Sequence, residues 1–278
     1  MPSRREFVAG TCAVGAGAML PLAPAFAQSE SSLARIKRTK TLRTGVVAGA
    51  APYFHKSVAT SEWQGFGTDL ARQLAQSLGV KLELVPTTWG NAVLDLQSNK
   101  IDCMFGMGPT EQRRKMVGFS EPIFQNTFTL VARKGFDLKT WDEANRPAVR
   151  LSVDVGSNQD NFATQSLKNA TVRRFDTSGD ATLALQTGRV DAQVLVALLG
   201  VTVLAKAPAL GHLIVPAPAT GAPVAIGVQK ESDTALLEHI NHWVAENRQN
   251  GRIKQTILAN MEKLVGIKAS DFPQQVQL

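Results

Sequence analysis

Arg113 carries the most distinctive chemistry in the chain. A guanidinium holds a carboxylate through two parallel N–H bonds and keeps its charge at any physiological pH. The arginine follows Gly106-Met107-Gly108-Pro109-Thr110. Glycines in such a run let a ligand approach the backbone, and N–H groups at a helix start favour an anion. Plainer explanations stand beside these. Arg114 and Lys115 follow directly, so Arg113 also reads as part of a solvated basic helix, with Thr110 as its N-cap. Trp89 after Thr87-Thr88, and Tyr53 after Pro52, fall just past β-like runs. There an aromatic ring either walls a ligand or fills core. Ser157 and Asn158 open another helix, as anion-facing N–H groups or as ordinary caps.

Acid–base chemistry has little to work with. The loops that could face a ligand hold only His55, Asp154, Asp160 and Glu111 as ionisable candidates besides the arginines. His55 is the one that could move a proton, and it reads first as a surface histidine. No nucleophile elbow, Walker loop or zinc spacing is present, and four histidines and two cysteines offer little to a metal. We expect no cofactor, no metal and no catalytic residue. Lys and Arg exceed Asp and Glu by 30 to 23, a balance of +7 that raises nucleic acid as a partner. Aromatic content of 6% with a single Tyr, and no base-reading module, argue against it.

The elements that must position these residues alternate between β-like and helix-like runs, so the fold class is α/β. Leu42–Val47, Val80–Leu84 and Ile101–Phe105 read as strands, with helices at Thr68–Leu78 and Asn91–Gln97 between them. Thr68 is the expected N-cap of the first helix and Gly79 follows its end. The same order recurs as strands at 149–155, 172–175 and 190–196 and helices at 160–167 and 181–186. Leu96-Gln97-Ser98-Asn99-Lys100-Ile101-Asp102 matches Leu185-Gln186-Thr187-Gly188-Arg189-Val190-Asp191 in residue type throughout. Two such units imply two lobes of like topology. Phe124–Val131 and Val224–Val228 read as two crossings between them, with the C-terminal helices returning to the first. The expected division is 38–125 with 224–278 as one lobe and 126–223 as the other. Two crossover strands make a hinge, and ligands bind beyond the carboxyl ends of strands. The segments 49–54, 106–113, 156–160 and 194–198 should therefore face one cleft.

At the N-terminus, Arg4-Arg5 with Phe7 precede a short apolar run and then Ala25-Phe26-Ala27. That order predicts an export signal over 1–27, twin-arginine-like, cleaved near Ala27. An ordinary secretory signal is the alternative; either way the expected location is periplasmic. Cys12 falls inside the apolar run and lacks a lipidation context, and Cys103 in its apolar strand reads as a buried thiol.

These stretches together resemble the family 3 extracytoplasmic solute-binding proteins of ABC importers, which include amino-acid-binding proteins. The resemblance runs through Leu42–Gly45, Gly65–Ala71, Pro86–Trp89 with Asn91, Leu96–Asp102, Glu111–Arg113 with Phe119–Pro122, Gly156-Ser157 and Gly188–Asp191. It implies a two-lobed periplasmic binding protein fold (type II) with two hinge strands. It also implies a small carboxylated solute, an amino acid or related organic acid, as ligand, a membrane permease as partner and a monomeric protein. On the matching positions Arg113 would hold the carboxylate and Trp89 and Tyr53 would wall the ligand. Gly106, Gly108, Thr110, Ser157 and Asn158 would complete the shell. Val196 stands where amino-acid binders of the family place an Asp for the ligand ammonium, and Val47 and Ala50 where basic-amino-acid binders have Asp and Tyr. Gly108 stands where a hydroxyl residue is usual. The resemblance therefore points to a ligand without a charged α-amine, or one whose amine meets another group. The alternatives are an enzyme resembling cyclohexadienyl dehydratase on the same scaffold, and a free sensory binding protein.

Overall fold

The computed structural model describes residues 30–276; the expected export signal lies outside the described residues. A helix α1 (Ser32–Thr39) leads into β1 (Thr41–Val47), then a ribbon of β2 (His55–Lys56) and β3 (Trp63–Gln64). There follow α2 (Phe66–Ser77), β4 (Lys81–Thr87), α3 (Ala92–Gln97), β5 (Cys103–Met107), α4 (Glu111–Met116), β6 (Val117–Phe119) and the long β7 (Phe124–Arg133). The second unit runs α5 (Trp141–Ala144), β8 (Arg150–Asp154), α6 (Asn158–Ser166), β9 (Thr171–Phe175), α7 (Ser178–Gln186), β10 (Ala192–Val196) and α8 (Ala197–Lys206). After β11 (Gly211–Ile214) and β12 (Gly221–Gln229), the chain ends in α9 (Ala235–Gln249) and α10 (Arg252–Val265).

The repeat read from the sequence is a repeat of topology. β1 pairs in parallel with both β4 and β5, and β8 with both β9 and β10, so each unit has its first strand at the centre. Each third strand then takes a crossover strand antiparallel, β12 on β5 and β7 on β10. The two crossovers pair with each other only over 124–127 and 221–224. This is the two-strand connection expected of a hinge. The C-terminal helices return to the first unit: Trp243 meets Phe105 edge-on at 6.2 Å, and Asn260 Nδ2 donates to Asp69 on α2 at 2.9 Å.

The matched heptapeptides have a shared structural task. Asp102 accepts from the Arg43 N–H at 2.8 Å and Asp191 from the Arg150 N–H at 3.1 Å, while each aspartate's own N–H donates to that arginine's carbonyl. Each carboxylate also holds the arginine side chain, at 2.6 Å and 2.7 Å. The motif thus locks the start of the third strand of each unit to the first. α2 shows the burial that drives this layering: Phe66, Leu70 and Leu74 are all buried on its sheet-facing side. Each such side chain contributes about 1.5–3 kcal/mol.

Several expectations need correction. Thr68 is not an N-cap: α2 begins two residues earlier, because the Phe66 and Gly67 N–H groups donate to the Pro52 and Tyr53 carbonyls at 3.0 Å. Main-chain capping makes a side-chain cap unnecessary, and it fixes Tyr53 against the helix. Gly106 lies inside β5 rather than in the following loop; its φ of +89° turns the strand without ending it. Residues 197 and 198 belong to α8, not to a loop. The second unit's first helix starts at Asn158, two residues before the expected boundary. Cys103 is buried, and burial pushes its thiol up to about 12. Among the described residues, no helix is long and apolar enough to cross a membrane.

Candidate functional site

The carboxyl ends of β1, β4, β5, β8 and β10 bring their following residues together. Tyr53 is buried after β1; its hydroxyl accepts from Asn126 Nδ2 at 2.7 Å, and its ring lies 4.4 Å from Phe66 and 6.2 Å, edge-on, from Trp89. Burial pushes the Tyr53 phenol well above its ordinary range, so it remains a neutral hydroxyl. Gly106 is what allows the two rings to meet. A Cβ there would stand 3.0 Å from Tyr53 and 3.1 Å from Trp89.

Arg113 projects from the short α4 and is only 5% exposed. Its Nη1 donates to the Gly108 carbonyl at 3.0 Å and to Asn158 Oδ1 at 2.9 Å, and its Nη2 to the Gly156 carbonyl at 2.6 Å. Every one of these acceptors is neutral. Burial pulls the guanidinium down to about 10, which still leaves it charged at neutral pH. Asn158 Oδ1 also accepts from the Gly108 N–H at 3.0 Å. That single oxygen is therefore held between a guanidinium and a backbone amide, two donors of the kind that also hold a carboxylate. Gly108 makes this possible, because a Cβ on it would overlap the Asn158 amide. Any residue with a Cβ there would require the Asn158 side chain to move. Thr110 caps α4, its Oγ1 accepting from the Arg113 N–H at 3.3 Å. Ser157 caps α6 in the same way, accepting from the Asp160 N–H at 3.1 Å.

A cavity of about 20 Å³ sits at the centre, lined by Tyr53, Trp89, Gly106, Ser157, Asn158 and Val196. That is room for about one water. Arg113 stands behind Asn158, while Gly108 and Thr110 line a larger, open groove instead. Sequence reasoning missed three further residues of the central cavity: Asn126 on β7, Gln159 on α6 and Leu199 on α8. Asn126 could have been found as a buried-type amide in an otherwise apolar crossover run. The units also meet at glycines, where a Cβ on Gly156 would stand 2.8 Å from the Gly90 Cα. His55 lies on the β2–β3 ribbon and lines neither this cavity nor the one beside it. Among the described residues no His, Cys, Asp and Glu side chains cluster as a metal site would require.

The chain resembles known solute-binding proteins in sequence and fold. The L-cystine-binding protein TcyJ of Escherichia coli (strain K12) is 27% identical over 240 residues, 85% of this chain and 87% of the relative. Cyclohexadienyl dehydratase of Pseudomonas aeruginosa is 30% identical over 146 residues, 51% of this chain and 54% of the relative. The crystal structure of an ancestral amino acid-binding protein, a precursor of cyclohexadienyl dehydratase, superposes with a TM-score of 0.74 at 30% identity, covering 84% of this chain and all of that one. The fold is thus that of the two-lobed periplasmic amino-acid-binding proteins. Residues 42–260 match the pattern of one family throughout, and the chain belongs to the bacterial extracellular solute-binding proteins, family 3.

Proposed function

We propose that this protein is the exported, periplasmic binding component of an ABC importer, and that it captures a small carboxylated solute between its lobes. One observation carries the reading: a buried, charged Arg113 whose acceptors are all neutral, with one carboxylate-like position filled by Asn158 Oδ1. A buried guanidinium without an anion is costly, and a ligand carboxylate supplies the missing charge. Lobe 1 comprises 38–125 and 224–278, lobe 2 comprises 126–223, and the paired segments of β7 and β12 serve as the hinge. The open protein exposes Arg113 and Trp89; on closure the Ser157 and Asn158 N–H groups reach the carboxylate from lobe 2. Ligand drives closure through those lobe 2 contacts. The protein works as a monomer and delivers its cargo to a membrane permease, after removal of residues 1–27.

Val196 at the cavity wall supports a ligand with no charged α-amine beside it, since an ammonium there would face an apolar side chain. The position of His55 away from the cavity supports binding rather than turnover. Calorimetric titration with amino acids and their deaminated analogues tests the reading. Arg113→Ala should weaken carboxylate binding by about 100-fold or more, the loss of two charge-assisted hydrogen bonds. Unchanged affinity in that variant overturns the site.

A further inference from the structure

The central cavity has room for about one water, the size of a hydroxyl group, and none of the described residues lining it is charged. Apart from Asn158, which stands at the anion position, its polar walls have one donor and two acceptors to spare. Asn126 Nδ2 donates to the Tyr53 hydroxyl at 2.7 Å, which leaves over the phenol proton and Asn126 Oδ1. Burial keeps that phenol protonated. Gln159 Nε2 donates to Asp154 Oδ1 at 3.0 Å, which turns Gln159 Oε1 away from the carboxylate. Among the described residues nothing donates to Asn126 Oδ1 or Gln159 Oε1, although both side chains are buried. The Ser157 hydroxyl is already engaged, with Asp154 and with the Asp160 N–H.

Buried donors and acceptors are costly to leave unpaired, so a solute group that fills this cavity should both accept and donate a hydrogen bond. A hydroxyl does both. Its oxygen takes the Tyr53 proton, and its own proton is offered Asn126 Oδ1 and Gln159 Oε1. A ketone only accepts, and leaves both amide oxygens unpaired. An ammonium could reach both oxygens, but it has no use for the Tyr53 proton and brings a charge against Val196 and Leu199 with no counter-ion in the lining. Asp154, behind Gln159, is already held by Gln159 and Ser157. The cavity adjoins the anion position, because Asn158 lines it while its Oδ1 lies between Arg113 and the Gly108 N–H. We propose that the solute is a 2-hydroxycarboxylic acid, its carboxylate at Arg113 and its hydroxyl seated between Tyr53, Asn126 and Gln159. This inference rests on the carboxylate reading of Arg113 and names the group beside that carboxylate. Asn126, on the crossover strand β7, thereby sets specificity from within the hinge.

Calorimetry on the purified protein compares four acids on each of two carbon skeletons. The first set is lactate (both enantiomers), pyruvate, propanoate and L-alanine; the second is 3-phenyllactate (both enantiomers), phenylpyruvate, 3-phenylpropanoate and L-phenylalanine. On at least one skeleton the hydroxy acid should bind about 10-fold or more tightly than the other three. Tyr53→Phe keeps the ring and should bring the hydroxy acid to within about threefold of the unsubstituted acid. Asn126→Asp supplies a counter-ion of the same shape and should turn the preference toward the amino acid. Circular dichroism checks that each variant is folded; should either fail to fold, the wild-type ranking decides alone. If a keto or unsubstituted acid binds the wild-type protein as well as the hydroxy acid, or folded Tyr53→Phe keeps the full preference, the hydroxyl is wrong while the carboxylate site stands. An amino acid binding tightest to the wild-type protein overturns the hydroxyl in the same way. If no acid binds at all, the carboxylate reading falls with it.

Discussion

Replacing Asn158 by Ala should open the protein and strengthen its hold on a carboxylate. The amide oxygen takes one hydrogen bond from the charged Arg113 Nη1 at 2.9 Å and one from the Gly108 N–H at 3.0 Å. The first contributes about 1.5–3 kcal/mol and the second about 0.5–1.5 kcal/mol, so the shut arrangement loses about 2–4.5 kcal/mol. At about 1.4 kcal/mol per factor of ten, the shut-to-open ratio falls by roughly 30- to 1,500-fold. Water entering beside Ala would moderate this, so the lower end is the working figure. The backbone N–H of residue 158 survives the change and remains free to meet a ligand. A ligand that must enter an open form binds more weakly by the fraction of molecules that are open, so raising that fraction raises apparent affinity. Small-angle scattering without added solute should report a larger radius of gyration for Asn158→Ala, and calorimetry a tighter carboxylate. Ser157→Ala is the control, since Ser157 caps α6 without contacting Arg113. An unchanged radius together with unchanged or weaker carboxylate affinity would refute the idea that Asn158 competes for the anion position.

Two further substitutions address the frame around the cleft. Gly106→Ala meets both a φ of +89° and two aromatic rings at 3.0 Å and 3.1 Å, and should lower stability by about 1–3 kcal/mol, read as a drop in thermal midpoint. The Asp191 carboxyl is held below its ordinary range, chiefly by the hydrogen bond from Arg150. A depressed folded-state value means its contribution is present above the unfolded pKa of about 3.9 and is lost as pH falls through the folded value. Denaturant unfolding of Asp191→Asn should therefore show lower stability at pH 7 and a shallower acid decline than the parent.

The order of elements was legible because period-2 and helical patterns alternate cleanly, and because the Asp102 and Asp191 motifs repeat with a structural reason behind them. α8 was missed altogether, since Ala197–Val201 is buried without interruption and no amphipathic period marks where β10 stops and a helix begins. Gly106 read as part of the loop ahead of the Arg113 helix, yet β5 continues through it to pair Met107 with Ala225. The site divides along a similar line. Residue type and position past strand ends made Arg113, Trp89 and Tyr53 candidates, with a solvated helix or a core ring as the plainer reading, and the family resemblance supplied their roles. Asn126, Gln159 and Leu199 carry no such mark; only the pairing of β7, α6 and α8 around one cavity singles them out. Asp154 shows the difference most clearly. In sequence it was one of four ionisable groups in the loops, and only the fold shows it buried, its Oδ1 accepting from Gln159 Nε2 at 3.0 Å. Arg113, buried among neutral acceptors, is a charge that is expensive to keep unless an anion arrives to meet it.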